Sequence, residues 1–184
     1  MKIINKSILI LSGVICGCVT VVNAQTQFSD QKIIQGVNIV NPSSIFAADL
    51  DGDGSADVIS ASVTDNKIAW YKNDGNGSFA SQQIISSTAY SAKSVFATDL
   101  DNDQDIDVLS ASSFDDRIAW YKNDGNGNFV EQQSISTSAD AASSVYAADL
   151  DGDEDMDVLS TSFNDDKIAW YENDGSGNFS EQII

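Results

Sequence analysis

Nine residues, Asp49-Leu50-Asp51-Gly52-Asp53-Gly54-Ser55-Ala56-Asp57, put carboxylates at the first, third, fifth and ninth positions of a short stretch. The same spacing returns as Asp99, Asp101, Asp103 and Asp107, then as Asp149, Asp151, Asp153 and Asp157. Carboxylates gathered in a curled loop repel one another. Two unit charges about 4 Å apart interact by roughly 4 kcal/mol at an effective dielectric of about 20. A folded loop of this composition therefore needs a positive charge among its oxygens. The occupant that suits it is a hard cation, and Ca²⁺ takes about six to eight oxygen ligands in a flexible arrangement. One such stretch could be a solvated acidic turn, but three in one register point to calcium.

The surrounding elements decide what kind of loop this is. An EF-hand would need a bidentate Glu at the twelfth position, where the chain has Ser60, Ser110 and Ser160. The residues after the first loop, Val58 to Val63, read as a strand, so each loop is expected to join two strands of a hairpin. The repeat also extends beyond the loops. Lys67-Ile-Ala-Trp-Tyr-Lys-Asn-Asp-Gly-Asn-Gly recurs from Arg117 and, with Glu172 and Ser176 as changes, from Lys167. A period near fifty is the mark of a repeat architecture. Within the first unit, strands are expected over about Ser44–Ala48, Asp57–Val63, Lys67–Lys72 and Phe79–Ile85, with Pro42 in a connection. Ile68 and Trp70 alternate with Ala69 and Tyr71 in the third of these. The turn Thr64-Asp65-Asn66 and the run Asn73 to Gly77 supply residues that accept positive φ. The predicted class is all-β: three four-stranded repeats, about 43–85, 93–135 and 143–184, each one blade of a β-propeller.

Residues 1–24 read as a secretory signal peptide. Lys2 and Lys6 precede an apolar run from Ile8 to Val22, and Val22-Asn23-Ala24 offers a cleavage point before Gln25. Lipidation at Cys18 is the alternative. Both cysteines, Cys16 and Cys18, lie in this leader, and the chain has no histidine. Disulfides, thiolate chemistry, Ser-His-Asp catalysis and the common zinc sites are therefore excluded from the mature chain. Without the leader there remain 28 acidic and 7 basic residues, a formal charge of −21. Nucleic acid and anionic membrane surfaces should be repelled, and divalent cations attracted.

The run Ala-Asp-Leu-Asp-Gly-Asp-Gly-x-x-Asp-Val, followed by Ile-Ala-Trp-Tyr-x-Asn-Asp-Gly-x-Gly-x-Phe, resembles the FG-GAP/VCBS repeat family, which includes the calcium-bearing blades of integrin α-subunits. The resemblance covers nearly all of residues 28–184. It implies a propeller whose calcium loop joins the first two strands of each blade, and a mostly non-catalytic role in adhesion or ligand binding. It also implies a backbone-carbonyl ligand at the seventh loop position, which is Ser55, Asp105 or Asp155. The second and third loops depart from the pattern, with Asn102 and Gln104, and then Glu154, where the first loop has Gly52 and Gly54. Losing the turn glycine should strain those loops and weaken their ion affinity, leaving loop one the strongest site.

The chain is thus expected to be a secreted or cell-surface, calcium-binding, non-enzymatic domain that presents a surface to a protein or carbohydrate. An accessory part of a larger secreted enzyme and an oligomerising lectin-like module are the alternatives. Three blades are fewer than a closed propeller uses, so further blades or self-association should complete the ring. Trp70, Trp120 and Trp170 are expected between blades, not as sugar platforms. Asp65, Asp115, Asp116, Asp165 and Asp166 sit in repeated turns, a poor way to build the asymmetric carboxylate pair of a glycosidase. Tyr90 and Lys93, in the least repetitive connections, are the candidates for ligand contact.

Overall fold

Every fifty-residue unit folds into one four-stranded antiparallel sheet in the computed structural model, which describes residue 34 and residues 39–182. The first sheet contains β1 (Pro42–Ala48), β2 (Asp57–Ser62), β3 (Lys67–Tyr71) and β4 (Gln83–Ser86). The second contains β5 (Ala92–Thr98), β6 (Asp107–Ser112), β7 (Arg117–Asn123) and β8 (Phe129–Glu131). The third contains β9 (Ala142–Ala148), β10 (Asp157–Ser162), β11 (Lys167–Asn173) and β12 (Phe179–Gln182). In each sheet the strands pair in chain order, and no helix occurs among the described residues. The signal peptide lies outside the described residues, as do residues 25–33, residues 35–38, Ile183 and Ile184.

The predicted strands match these closely, with two corrections. Pro42 begins β1 and is not in a connection. A first strand position tolerates proline because it forgoes only one ladder bond. The fourth strand of blade one is shorter than the expected Phe79–Ile85: Phe79 makes only an isolated bridge to Asn73, and the ladder resumes at Gln83, opposite Trp70, with a register shift at Ile68/Ala69 before Ser86. An outer strand pairs on one side only, so the polar run Ala80-Ser81-Gln82 interrupts it without breaking the sheet. Ser60, Ser110 and Ser160 lie buried in the second strands. Ser110 Oγ, for example, lies 3.3 Å from the Tyr121 hydroxyl, within hydrogen-bonding distance.

The core lies between blades. One cluster joins Leu50, Ile59, Ile68 and Trp70 to Val95, Val108, Ala119 and Tyr121 of blade two, and a second repeats the arrangement between blades two and three. The first strands of successive blades lie side by side. Phe46 and Phe96 have ring centroids 4.7 Å apart, and Phe96 and Tyr146 are 4.6 Å apart. Trp70 meets Phe129 edge-on at 6.2 Å, and Trp120 meets Phe179 at 6.1 Å. Each indole also lies on a turn glycine of the next blade, Gly127 or Gly177, both at positive φ, where a Cβ would strike the ring. Trp70 and Trp120 are thus inter-blade core, whereas Trp170, with no following blade among the described residues, is only partly buried. On blade three no neighbour covers the corresponding face among the described residues, and Ile168 is 65% exposed where Ile68 and Ile118 are buried.

Candidate metal centre

The three aspartate loops lie at one end of their blades, each between a first and a second strand, and the turn between third and fourth strands meets the loop there. The ninth-position aspartate makes this junction. Asp57, Asp107 and Asp157 are fully buried. One oxygen of each accepts the backbone N–H of Leu50, Leu100 or Leu150 at 3.1–3.3 Å, and the other accepts that of Asn73, Asn123 or Asn173 at 2.7–2.9 Å. Burial pushes the carboxyl of Asp57 up, and that of Asp107 up to about 7, against the lowering effect of these N–H donors.

The other positions shape the loop around its own oxygens. Asp49 accepts hydrogen bonds from the N–H groups of Asp53 (3.1 Å) and Gly54 (2.8 Å). Asp99 does the same for Gln104 (2.9 Å), and Asp149 for Gly152 (2.7 Å) and Glu154 (3.2 Å). Asp53, Asp103 and Asp153 each turn back onto the N–H two residues on. The sixth position is left-handed in all three loops: φ is 86° at Gly54 and 75° at both Gln104 and Glu154. The predicted strain at the two non-glycine residues is therefore present. At position seven, the side chains of Ser55, Asp105 and Asp155 lie against Gly75, Gly125 and Gly175 of the adjoining turn.

Three carboxylates converge in each loop, with oxygens within 4.8 Å of one another: Asp49, Asp51 and Asp53; Asp99, Asp101 and Asp107; Asp149, Asp151 and Asp157. Positions one and three recur in every set. The third member is position five in loop one and position nine in loops two and three, so Asp57, Asp103 and Asp153 stand outside these close groups. A hard cation fits this donor set. Among the described residues, Asp51 Oδ1 in loop one and Asp99 Oδ1 and Asp101 Oδ1 in loop two are buried with no hydrogen-bond partner, and buried polar atoms without one are rare. Asp65 Oδ2 and Asp115 Oδ2, outside the loops, are buried likewise but face Lys67 and Arg117. The three loop oxygens suit ligation by Ca²⁺, which needs only oxygen.

Sequence reasoning missed one feature, the lysine that follows the Trp-Tyr pair. Lys72 pairs with Asp51 and, at 3.0 Å, with Asp53; Lys122 pairs with Asp101 and, at 3.0 Å, with Asp103. The Lys72 ammonium holds the Asp53 carboxyl below its usual value. In blade three the position is Glu172. There the Asp151 carboxyl is pushed up by desolvation, with the Asp153 and Asp157 charges adding to it. The signal was visible as the one charge reversal in an otherwise repeated motif.

The opposite end carries the remaining predicted positions. Asn66 Oδ1 accepts the Ser91 N–H, and Asp116 Oδ1 accepts that of Ala141, both at 2.8 Å, tying each second turn to the connection beyond it. Asp65 pairs with Lys67 at 3.1 Å, and Asp115 lies 3.8 Å from Arg117. Tyr90 is half exposed there, and Lys93 is partly covered within β5. Two aromatics that sequence reasoning did not single out as ligand contacts are more exposed: Phe114 at 82% and Phe163 at 77%.

No curated protein sequence matches the chain. Among solved structures, an Agrocybe aegerita lectin, described by its specific recognition of non-reducing terminal N-acetylglucosamine, matches with a TM-score of 0.56 at 23% identity. The match covers 75% of this chain and 37% of the lectin. The V. cholerae biofilm matrix protein Bap1 matches with a TM-score of 0.35 at 22% identity, over 74% of this chain and 27% of its own. The chain thus spans well under half the length of either protein, and the likeness to the lectin concerns the fold. The family model for FG-GAP-like repeats matches residues 49–110, 99–160 and 149–184, so that each match opens on the first aspartate of a loop. With the four-stranded blades and the converging carboxylates in the same register, the chain belongs to the FG-GAP-like repeat family.

Proposed function

We propose that this chain is a secreted, calcium-binding, non-enzymatic repeat domain whose ions brace one end of each blade while the other end binds a protein or glycan. The observation that carries the calcium reading is the set of buried, unpartnered carboxylate oxygens on Asp51, Asp99 and Asp101, inside loops that repeat in one register. Ca²⁺ would supply charge neutralisation and bridging bonds. The chain supplies the rest: Asp49, Asp99 and Asp149 fold each loop onto its own N–H groups, and Asp57, Asp107 and Asp157 lock the loop to the neighbouring turn. An ion held by Asp99, Asp101 and Asp107 would tie the loop to the start of the second strand, whereas one held by Asp49, Asp51 and Asp53 would brace the loop itself.

The binding face is assigned to the opposite end, where loops sit on a rigid scaffold. Phe114 N–H donates to the Tyr90 carbonyl at 3.1 Å, tying together two loops that each carry an exposed aromatic. Phe163 stands beside Asn164, whose Nδ2 donates to Asp140 Oδ1 at 2.8 Å. Flat exposed rings beside polar side chains suit a sugar or a protein loop.

Calorimetric titration tests the metal assignment. About three Ca²⁺ per chain are expected, with affinities of roughly 10⁻⁴ to 10⁻³ M as in extracellular modules, and Asp101→Ala should remove one. No saturable uptake by the wild type would overturn it. A glycan array probed with the wild type and with Phe114→Ala tests the face, since binding unaffected by that substitution would place the ligand elsewhere.

A further inference from the structure

Loops one and two already hold a cation of their own. Lys72 Nζ reaches from the end of the third strand to Asp51 and Asp53, and Lys122 Nζ reaches in the same way to Asp101 and Asp103. The contacted Asp51 side chain is only 9% exposed, whereas Lys72 is 39% exposed, so the ammonium reaches from the rim onto a buried carboxylate whose Oδ1 has no partner among the described residues. Blade three reverses the charge. Glu172 replaces the lysine, and its carboxylate is turned to the Gln182 amide at 2.6 Å. The acidic content of the loops themselves runs the same way, with four carboxylates over residues 49–57, five over 99–107 and six over 149–157. Counting the lysines, the loops carry formal charges of −3, −4 and −6.

We infer that the three sites are graded. Loop three depends on a divalent cation and fills first, whereas Lys72 and Lys122 are tethered counter-cations that keep loops one and two folded without metal and must be displaced before an ion enters. This rests on the calcium reading above and reverses the ranking that the turn glycines alone suggest. The physical reason is scale: at the effective dielectric of a protein surface, a unit charge a few ångströms from a divalent ion outweighs the left-handed strain at Gln104 or Glu154.

The test is Ca²⁺ titration of the wild type, Lys72→Met, Lys122→Met and Glu172→Lys, paired with thermal melts of each in chelator. These side chains are partly exposed at the rim, so the variants keep the core intact. One tight and two weaker sites are expected in the wild type. Each Lys→Met change should tighten one weak site on the order of tenfold while lowering the melting temperature in chelator. Glu172→Lys should weaken the tight site by a similar factor while raising the melting temperature in chelator. That opposition of sign distinguishes a displaceable counter-ion from a merely structural ion pair, whose loss would weaken the fold and the site together. Calcium affinities unchanged by the lysine substitutions would overturn this inference and leave the calcium reading standing. Absence of any wild-type uptake would overturn both.

Discussion

Asn73 and Asn123 open the same five-residue turn, Asn-Asp-Gly-Asn-Gly, yet the same substitution should cost very different amounts at the two. Asn123 is fully buried. Its Nδ2 donates to Ile106 O at 2.9 Å in its own blade and to Leu50 O at 2.7 Å in the preceding one, and its Oδ1 accepts the Gly127 N–H at 3.2 Å. Asn173 repeats these bonds, to Met156 O and Leu100 O. Asn73 Nδ2 donates, among the described residues, only to Ala56 O at 3.0 Å, at an exposed position. Asn123→Ala leaves two buried carbonyls and one N–H without this partner, at about 1–3 kcal/mol for each group that water cannot reach. We expect a loss on the order of 3–5 kcal/mol for Asn123→Ala and about 1 kcal/mol for Asn73→Ala, where water replaces the amide. At about 2–4 °C per kcal/mol for a domain of this size, the melting temperatures should fall by roughly 10 °C and 3 °C. Differential scanning calorimetry in saturating Ca²⁺ reads both. Equal losses at the two positions would refute the reasoning, because they would make the turn, not the inter-blade bond, the source of stability.

The tryptophans should separate in the same way: Trp120→Ala costs about 3–5 kcal/mol, and Trp170→Ala, partly exposed without a following blade, about 1 kcal/mol, as chemical denaturation would show. In chelator, stability should fall as the pH rises from about 4 to about 7. The unfolded Asp107 loses its proton near its ordinary value of 3.8, whereas the folded one keeps it until about 7, so the folded state binds the extra proton across that window. Urea melts at pH 5 and 7.5 that showed the opposite trend would refute this. Saturating Ca²⁺ should reduce the decline, because the ion binds the ionised carboxylate. The uncovered third-blade face, with Ile168 exposed and Leu150 partly so, should drive association between copies at micromolar concentration, and Ile168→Lys should abolish it. Concentration-independent light scattering by the wild type would count against this.

Much of the fold was legible because the chain writes one unit three times. The alternation in Lys67–Tyr71, the Asn-Asp-Gly turns and the fifty-residue period each follow from local backbone and side-chain preferences, and those act within a blade. The aspartate spacing likewise announced a cation loop, since carboxylate repulsion needs no tertiary context. Which oxygens converge was a different matter. The buried Asp57, Asp107 and Asp157 proved to be junctions between two loops, because their partners, Leu50 and Asn73 in blade one, are brought together only by strand pairing. Lys72 lies twenty-one residues from Asp51, and its entry into the loop depends on the antiparallel register of β2 and β3. Identical motifs also took on different roles by position: Ile118 is buried and Ile168 exposed because burial belongs to the seam between blades. Local sequence specifies what each blade is, whereas long-range packing alone decides which of its faces, carbonyls and carboxylates find a partner.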